Sequence, residues 1–465
     1  MTSIILLSVF GIINLFLGFL RSNKILLPAA MVILAIVFGA NLYDWNAAPE
    51  SYFSNMLTID RYSVAFTGIV VLTTLLLIPF SQKYVRDGQE NLAEYYSLLL
   101  FSLVGAIMMV SYDNLLMLFV GIEILSVSMY VLAGTDKRNV RSNEAALKYF
   151  LMGSFATGIL LFGIALVYGA TGTFQLTQIN AGIVNPANAT LQPMLYIGML
   201  LMFIGISFKV SAAPFHYWTP DVYEGTPTFF TAFMSTVVKT AGFAAFFKLL
   251  MAAFFAAKGF WIPTIMAITV LTLLIGNVGA VAQNSVKRML AYSSISHAGY
   301  LFIALVAVNG KLSVNALFFY SLAYSVATIA AFAVLKLVSD QRQREDYAGF
   351  NGLAKTNPLL AFVMTVAMLS LAGIPLTGGF FGKFFTFGAA IDRGYIGLIV
   401  FAVLMSMVSI YYYLRPIIAM YMQPAEDDNA EPIVVGAFQS VVLVVLAVFT
   451  LVLGILPGLF SEVFK

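Results

Sequence analysis

A chain of 465 residues that is 61% hydrophobic and 10% charged, with a mean hydropathy of +0.94, is an integral membrane protein, because a soluble domain carries about 25% charged residues. The net charge of +3 is too small to point to nucleic acid, and the lack of Cys excludes disulfides, cysteine-ligated iron–sulfur clusters and covalent c-type haem. Two His leave little scope for haem or zinc, and no G-x-G-x-x-G or Walker loop occurs, so any redox chemistry belongs to another chain.

A bilayer core about 30 Å thick takes about 20 apolar helical residues. By that measure the sequence predicts an all-α membrane protein of about fourteen transmembrane helices. The first seven segments are 3–20, 25–43, 60–80, 93–112, 115–134, 145–170 and 194 to a break near Pro214. The other seven are 229–257, 262–282, 289–308, 312–338, 358–391, 394–420 and 433–456. The chain opens Met-Thr-Ser and turns apolar at once, without the basic region or cleavage site of a signal peptide, so the first segment is expected to be retained.

Loop charges give an orientation. One set of alternate loops holds twelve basic residues: Arg21, Lys24, Lys83, Arg86, Lys137, Arg138, Arg141, Lys287, Arg288, Arg342, Arg344 and Lys355. The opposite set holds five, Arg61, Lys258, Lys311, Arg393 and Lys465. The richer set is expected in the cytoplasm, with both termini outside. The longest outer loop, 171–192, has no charge.

Two segments are too long for one straight crossing. Residues 193–226 and 358–392 would each span roughly 50 Å as continuous helix. The first contains Pro214, whose missing N–H deprives the Val210 carbonyl of its helical partner. The second contains Gly373-Ile-Pro375-Leu-Thr-Gly378-Gly379, so Pro214, Pro375, Gly378 and Gly379 are expected to break helices seven and twelve. Segments five apart cross in opposite directions, which predicts two inverted five-helix repeats, segments 4–8 and 9–13. Within one domain, residues 93–257 and 262–420 form the repeats. Residues 1–80 and 433–456 flank them.

Charges inside the membrane mark the candidate site. Glu123 sits mid-segment in V-G-I-E-I-L-S, Lys209 precedes the first break, and Lys239 lies in S-T-V-V-K-T-A-G. His297 lies in A-Y-S-S-I-S-H-A-G-Y and Lys383 in G-G-F-F-G-K-F-F. A charge at mid-bilayer costs about 2.5–3.5 kcal/mol on insertion scales, so these groups are expected to pair or be hydrated in the bundle interior. Proton transfer suits them: a lysine can exchange a proton at neutral pH when desolvation and a neighbouring charge tune it. Plainer readings compete. Lys148 follows Glu144 by four positions, the spacing of a surface pair. Lys248 is half a rotation from Lys239 and is expected to snorkel, as is Arg415 before Pro416. Asp221 and Glu224 sit where they would cap the next helix. His297, among Ser293, Ser294 and Ser296, is equally compatible with a satisfied structural histidine.

Five runs carry a family resemblance: E-I-L-S-V-S-M-Y-V-L-A-G (123–134), K-Y-F-L-M-G-S-F (148–155), F-H-Y-W-T-P-D-V-Y-E-G-T-P (215–227), K-R-M-L-A-Y-S-S-I-S-H-A-G-Y (287–300) and G-I-P-L-T-G-G-F-F-G-K-F (373–384). They resemble the antiporter-like membrane subunits of proton-pumping NADH:quinone oxidoreductase, respiratory complex I, and most closely subunit N, which is subunit 2 in mitochondria. Subunit M and its antiporter relatives have Glu where this chain has Lys383. Subunit L carries a lateral helix beyond its last spans, and this chain stops at Lys465. Animal forms of subunit N lack the first three helices, which points to a bacterial inner membrane.

The resemblance implies that Glu123 and Lys209 form the ion pair that tunes pumping, and that Lys148 modulates it. Lys239 is then the central relay lysine, with His297 bridging towards Lys383, the terminal exchange residue. NADH, FMN, iron–sulfur clusters and quinone belong to partner subunits, and this chain itself binds no cofactor and no metal. Its own partners are the other membrane and peripheral subunits and the lipid bilayer, not nucleic acid. The alternatives are a cation/H⁺ antiporter subunit, the equivalent subunit of a ferredoxin- or plastoquinone-linked complex, and a scaffold without transport. Lys383 and W-T-P-D-V-Y-E-G count against the first, and the buried charges against the last.

Overall fold

Apolar runs of this length close their backbone hydrogen bonds within themselves, and helices dominate the result. The computed structural model describes residues 1–20, 23–81, 92–185, 190–308, 310–424 and 432–464. Arg21, Lys83, Arg86 and Lys465 of the loop-charge count lie outside them. The first helices are α1 (Thr2–Leu17), α2 (Leu26–Tyr43), α3 (Arg61–Leu77), α4 (Leu92–Ser111), α5 (Leu115–Ala133), α6 (Val140–Thr171) and α7 (Leu176–Val184). Next come α8 (Gln192–Lys209), α9 (Trp218–Gly225), α10 (Thr228–Phe233), α11 (Lys239–Lys248), α12 (Lys258–Val281) and α13 (Val286–Ala307). The last are α14 (Lys311–Arg342), α15 (Leu353–Thr356), α16 (Pro358–Ala372), α17 (Gly378–Ile391), α18 (Ile396–Met422) and α19 (Ala437–Ile455). Among the described residues, twelve helical runs are long and apolar enough to cross a membrane, and Thr2–Leu17 and Pro358–Ala372 are shorter apolar helices.

Three features depart from the sequence reading. Strands Glu50–Tyr52 and Leu57–Ile59 form an antiparallel hairpin with Ser51 opposite Thr58. The uncharged loop 171–192 contains α7, whose Leu176, Ile179 and Ile183 are buried on one face. The eighth segment is interrupted by π-helical stretches, Met234–Val238 and Leu249–Ala253, on either side of α11.

Both overlong segments are discontinuous. Helix α8 ends at Lys209, and residues 210–217 are non-helical before α9 begins. Helix α16 ends at Ala372 with Gly373 as its cap, whose left-handed φ of 85° suits a residue without Cβ, and residues 373–377 separate it from α17. The sequence expectation needs one correction here: Gly378 and Gly379 are the first residues of α17, not part of the break. Small size, not backbone freedom, is what Gly379 supplies. A Cβ there would overlap the Ser370 carbonyl.

Contacts divide the chain into two units. The first comprises Met1–Leu75, Tyr84–Trp218 and Val237–Ala267. Asn114 and Asn139 cap α5 and α6, each side chain accepting a backbone N–H two residues on. Reciprocal glycines bring backbones together: a Cβ on Gly163 would stand 2.7 Å from the Gly198 oxygen, and one on Gly198 2.9 Å from the Gly163 oxygen. Close approach through small residues is how helices pack where lipid supplies no hydrophobic drive between them. The second unit comprises Leu76–Lys83, Thr219–Thr236 and Ile268–Lys465. Its α14 is buried along its whole apolar window, and α13 nearly so. That burial removes the polar run around His297 from any lipid-facing position.

Candidate functional site

In the first unit, Lys209 is the last residue of α8 and is 6% exposed. Its Nζ donates to Ser126 Oγ at 2.7 Å and stands 5.8 Å from the centre of the Tyr149 ring. Ser126 follows Glu123 by three positions on α5, so both face the lysine from one side of that helix. Among the described residues no direct ion pair joins Glu123 to Lys209. One carboxylate oxygen of Glu123 is buried without a hydrogen-bond partner. The resemblance implies a pair, whereas here the ammonium rests on the intervening hydroxyl.

The W-T-P-D-V-Y-E-G run explains how the break is held. Trp218 Nε1 donates back across it to the Phe208 carbonyl at 3.0 Å, next to Lys209. The indole stacks on Tyr149 at 4.7 Å, and Tyr149 meets Tyr130 edge-on at 4.8 Å. A layer of aromatic rings thus excludes lipid from the lysine. Lys148, beside Tyr149 on α6, bonds Glu144 at 2.8 Å.

Lys239 is 1% exposed and opens α11 directly after the first π-helical stretch. A π stretch leaves backbone groups out of the regular ladder and often marks a functional position. At the far end of α11, Lys248 meets Asp113 at 2.8 Å instead of turning to lipid.

In the second unit, Lys383 lies on α17 and is 5% exposed. Its Nζ donates to the Ala372 carbonyl at 2.7 Å and to Ser406 Oγ at 2.8 Å, and lies 4.7 Å from the centre of the Tyr300 ring. The lysine therefore folds back over the break at Gly373 and uses the last residue of α16 as an acceptor. His297, 3% exposed, contacts Tyr320 Oη through Nδ1 at 2.8 Å and Tyr413 Oη through Nε2 at 3.0 Å. Tyr413 also bonds Ser293. These tyrosines were not singled out by the sequence, since tyrosine is common in membrane helices and no spacing links 297, 320 and 413.

The remaining charges have structural partners. Arg288 donates through Nη1 to Asp221 at 3.0 Å and also to Glu224, so both carboxylates tie α9 to the start of α13 and do not cap a following helix. Arg415 does not snorkel. Its guanidinium donates to the Gln283 carbonyl at 2.6 Å and lies over Tyr347, satisfying the carboxyl end of α12. Beyond α14, in the loop before α15, the bonded Arg344 guanidinium holds the Asp346 carboxyl below the ordinary carboxylate range.

The transmembrane family described as NADH:quinone oxidoreductase/Mrp antiporter matches residues 112–409. NADH-quinone oxidoreductase subunit N of Cytophaga hutchinsonii is 40% identical over 100% of this chain and 99% of its own. The protein of the same name from Trichlorobacter lovleyi is 42% identical over 98% and 94%. A chain of respiratory complex I from Thermus thermophilus, solved with bound aureothin, superposes with a TM-score of 0.84 at 34% identity, covering 99% of this chain and 98% of that one. A chain of the Mrp complex from Dietzia shares the fold, with a TM-score of 0.84 at 22% identity over 100% and 96%.

Proposed function

Because this chain belongs to the NADH:quinone oxidoreductase/Mrp antiporter membrane family, we propose that it is subunit N of a proton-pumping NADH:quinone oxidoreductase in a bacterial plasma membrane. It moves protons while electrons pass from NADH through FMN and iron–sulfur clusters to quinone in partner subunits. The observation that carries this reading is a buried lysine at each helix break, Lys209 and Lys383, with its ammonium on a serine hydroxyl. Such a lysine can release and regain a proton without parting from a bound carboxylate.

Glu123 and Lys209 act as the adjustable pair: Nζ moves between Ser126 and the Glu123 carboxylate, and Lys148 modulates that equilibrium through its own bond to Glu144. Lys239 is the relay lysine of the first unit. In the second, His297 carries protons towards Lys383, the exchange residue. Breaks in segments seven and twelve support two inverted repeats, segments 4–8 and 9–13. The excess of basic residues in one set of loops supports termini on the outer side. Purifying the native complex from its source tests the reading. An NADH-binding subunit and NADH-driven proton uptake into vesicles are expected, and a complex that exchanges cations without NADH would refute it.

A further inference from the structure

A buried imidazole held at both nitrogens by phenols is either a clamp or a conductor. Tyr320 is 2% exposed and Tyr413 1%, so neither hydroxyl faces bulk water, and each contacts His297. A neutral imidazole has one N–H and one acceptor nitrogen, so one tyrosine donates to the ring while the other accepts from it. The polar groups run in series: Ser293, Tyr413, His297, Tyr320. The series does not end blindly. Beside Tyr320 lies a cavity with room for about one water, bounded also by Ser370, Gly379 and Gly382. Gly382 immediately precedes Lys383. The opposite end, Ser293, lies one turn before His297 on α13.

We propose that Tyr320 and Tyr413 are proton-relay residues that make His297 a conductor between Ser293 and the cavity bounded by Ser370, Gly379 and Gly382; this rests on the proton-pumping reading above. A proton arriving at Tyr413 Oη displaces that hydroxyl's own proton onto Nε2. Nδ1–H then gives its proton to Tyr320 Oη, which passes its former one to the cavity. One proton enters and one leaves, no bond between heavy atoms changes, and the ring is left in its other tautomer. The starting state returns when the two hydroxyls rotate back and Nε2 gives up its proton while Nδ1 takes one from water in the cavity that His297 also lines. A purely structural clamp would need the ring shapes and one hydroxyl, and would have no use for the serine or the cavity.

Tyr320→Phe and Tyr413→Phe each remove one oxygen and keep the ring, so the complex should assemble. In vesicles containing the intact complex, each should lower NADH-driven proton uptake at least about tenfold, a positioned proton-transfer group typically contributing about 10²–10⁴-fold. In a His297→Ala background neither should add a further loss, because members of one relay are not additive. Tyr411→Phe, on the exposed side of the same helix as Tyr413, is the unchanged control. Normal uptake by either assembled variant overturns the relay. Should phenylalanine prevent assembly, fluorotyrosine at 413 keeps both shape and hydroxyl. A relay phenol then changes the coupled rate with its acidity, and an unchanged rate overturns the proposal. If Lys383→Leu and His297→Ala also pump normally, the pumping reading itself fails; if only the tyrosine variants are normal, the relay alone does.

Discussion

Lys209 and Lys383 share a chemistry that arginine cannot copy. Each is buried, and each ends on neutral acceptors, Ser126 in one case and Ser406 with the Ala372 carbonyl in the other. Arginine keeps the charge, but its pKa exceeds about 12 and it is not deprotonated in proteins. Lys209→Arg should therefore assemble and lose coupled NADH oxidation and proton uptake by at least about tenfold. Lys209→Ala should be at least as damaging, since it leaves Glu123 without a cation. Wild-type pumping by the arginine variant would show that position 209 is a fixed charge. Lys383→Leu should likewise spare assembly and impair uptake, and a fully active assembled variant would remove Lys383 from the path. At this scale the charged residues were legible because each is expensive in an apolar segment. Ser126 was within reach too, one turn from Glu123. Ser406, Tyr320 and Tyr413 were not, because the residues they serve are distant in sequence.

The breaks are the elements that bring backbone groups to those lysines. Pro214 and the Gly373–Pro375 run announce them in sequence by removing a donor and permitting positive φ. The π-helical stretches around α11 carry no such mark. Within α17, two glycines separate packing from flexibility. Gly379 donates its N–H to Ser370 Oγ at 3.0 Å, and a Cβ there would strike the Ser370 carbonyl. Gly379→Ala should lower the melting temperature of the purified complex, in line with the roughly 1–3 kcal/mol cost of overpacking. Gly388→Ala meets nothing within 4 Å and should be neutral or slightly stabilising, since glycine is the poorer helix former. Equal melting temperatures for both variants would deny the tight approach at the start of α17.

For the whole molecule the testable quantity is orientation. The natural chain has no Cys, so single cysteines report without background. An impermeant thiol reagent added to intact cells should label Thr190→Cys, in the uncharged loop, and spare Lys137→Cys, in the basic one. Both positions are exposed in the structure. The reverse pattern would invert the topology and put the termini in the cytoplasm.

The sequence by itself determined that the chain is a multi-pass helical membrane protein, where its two overlong segments break, and that Lys209, Lys239 and Lys383 are buried. Those properties are written in composition and in single residues such as Pro214, Lys209 and Lys383. Only the tertiary structure decided what each buried group touches. It put Ser126 beneath Lys209, Trp218 back across its own break, Arg415 on carbonyls rather than in lipid, and two tyrosines on His297. The physical reason is that burying a charge is a local cost visible in one segment, whereas satisfying it depends on side chains from other helices whose approach is fixed by packing.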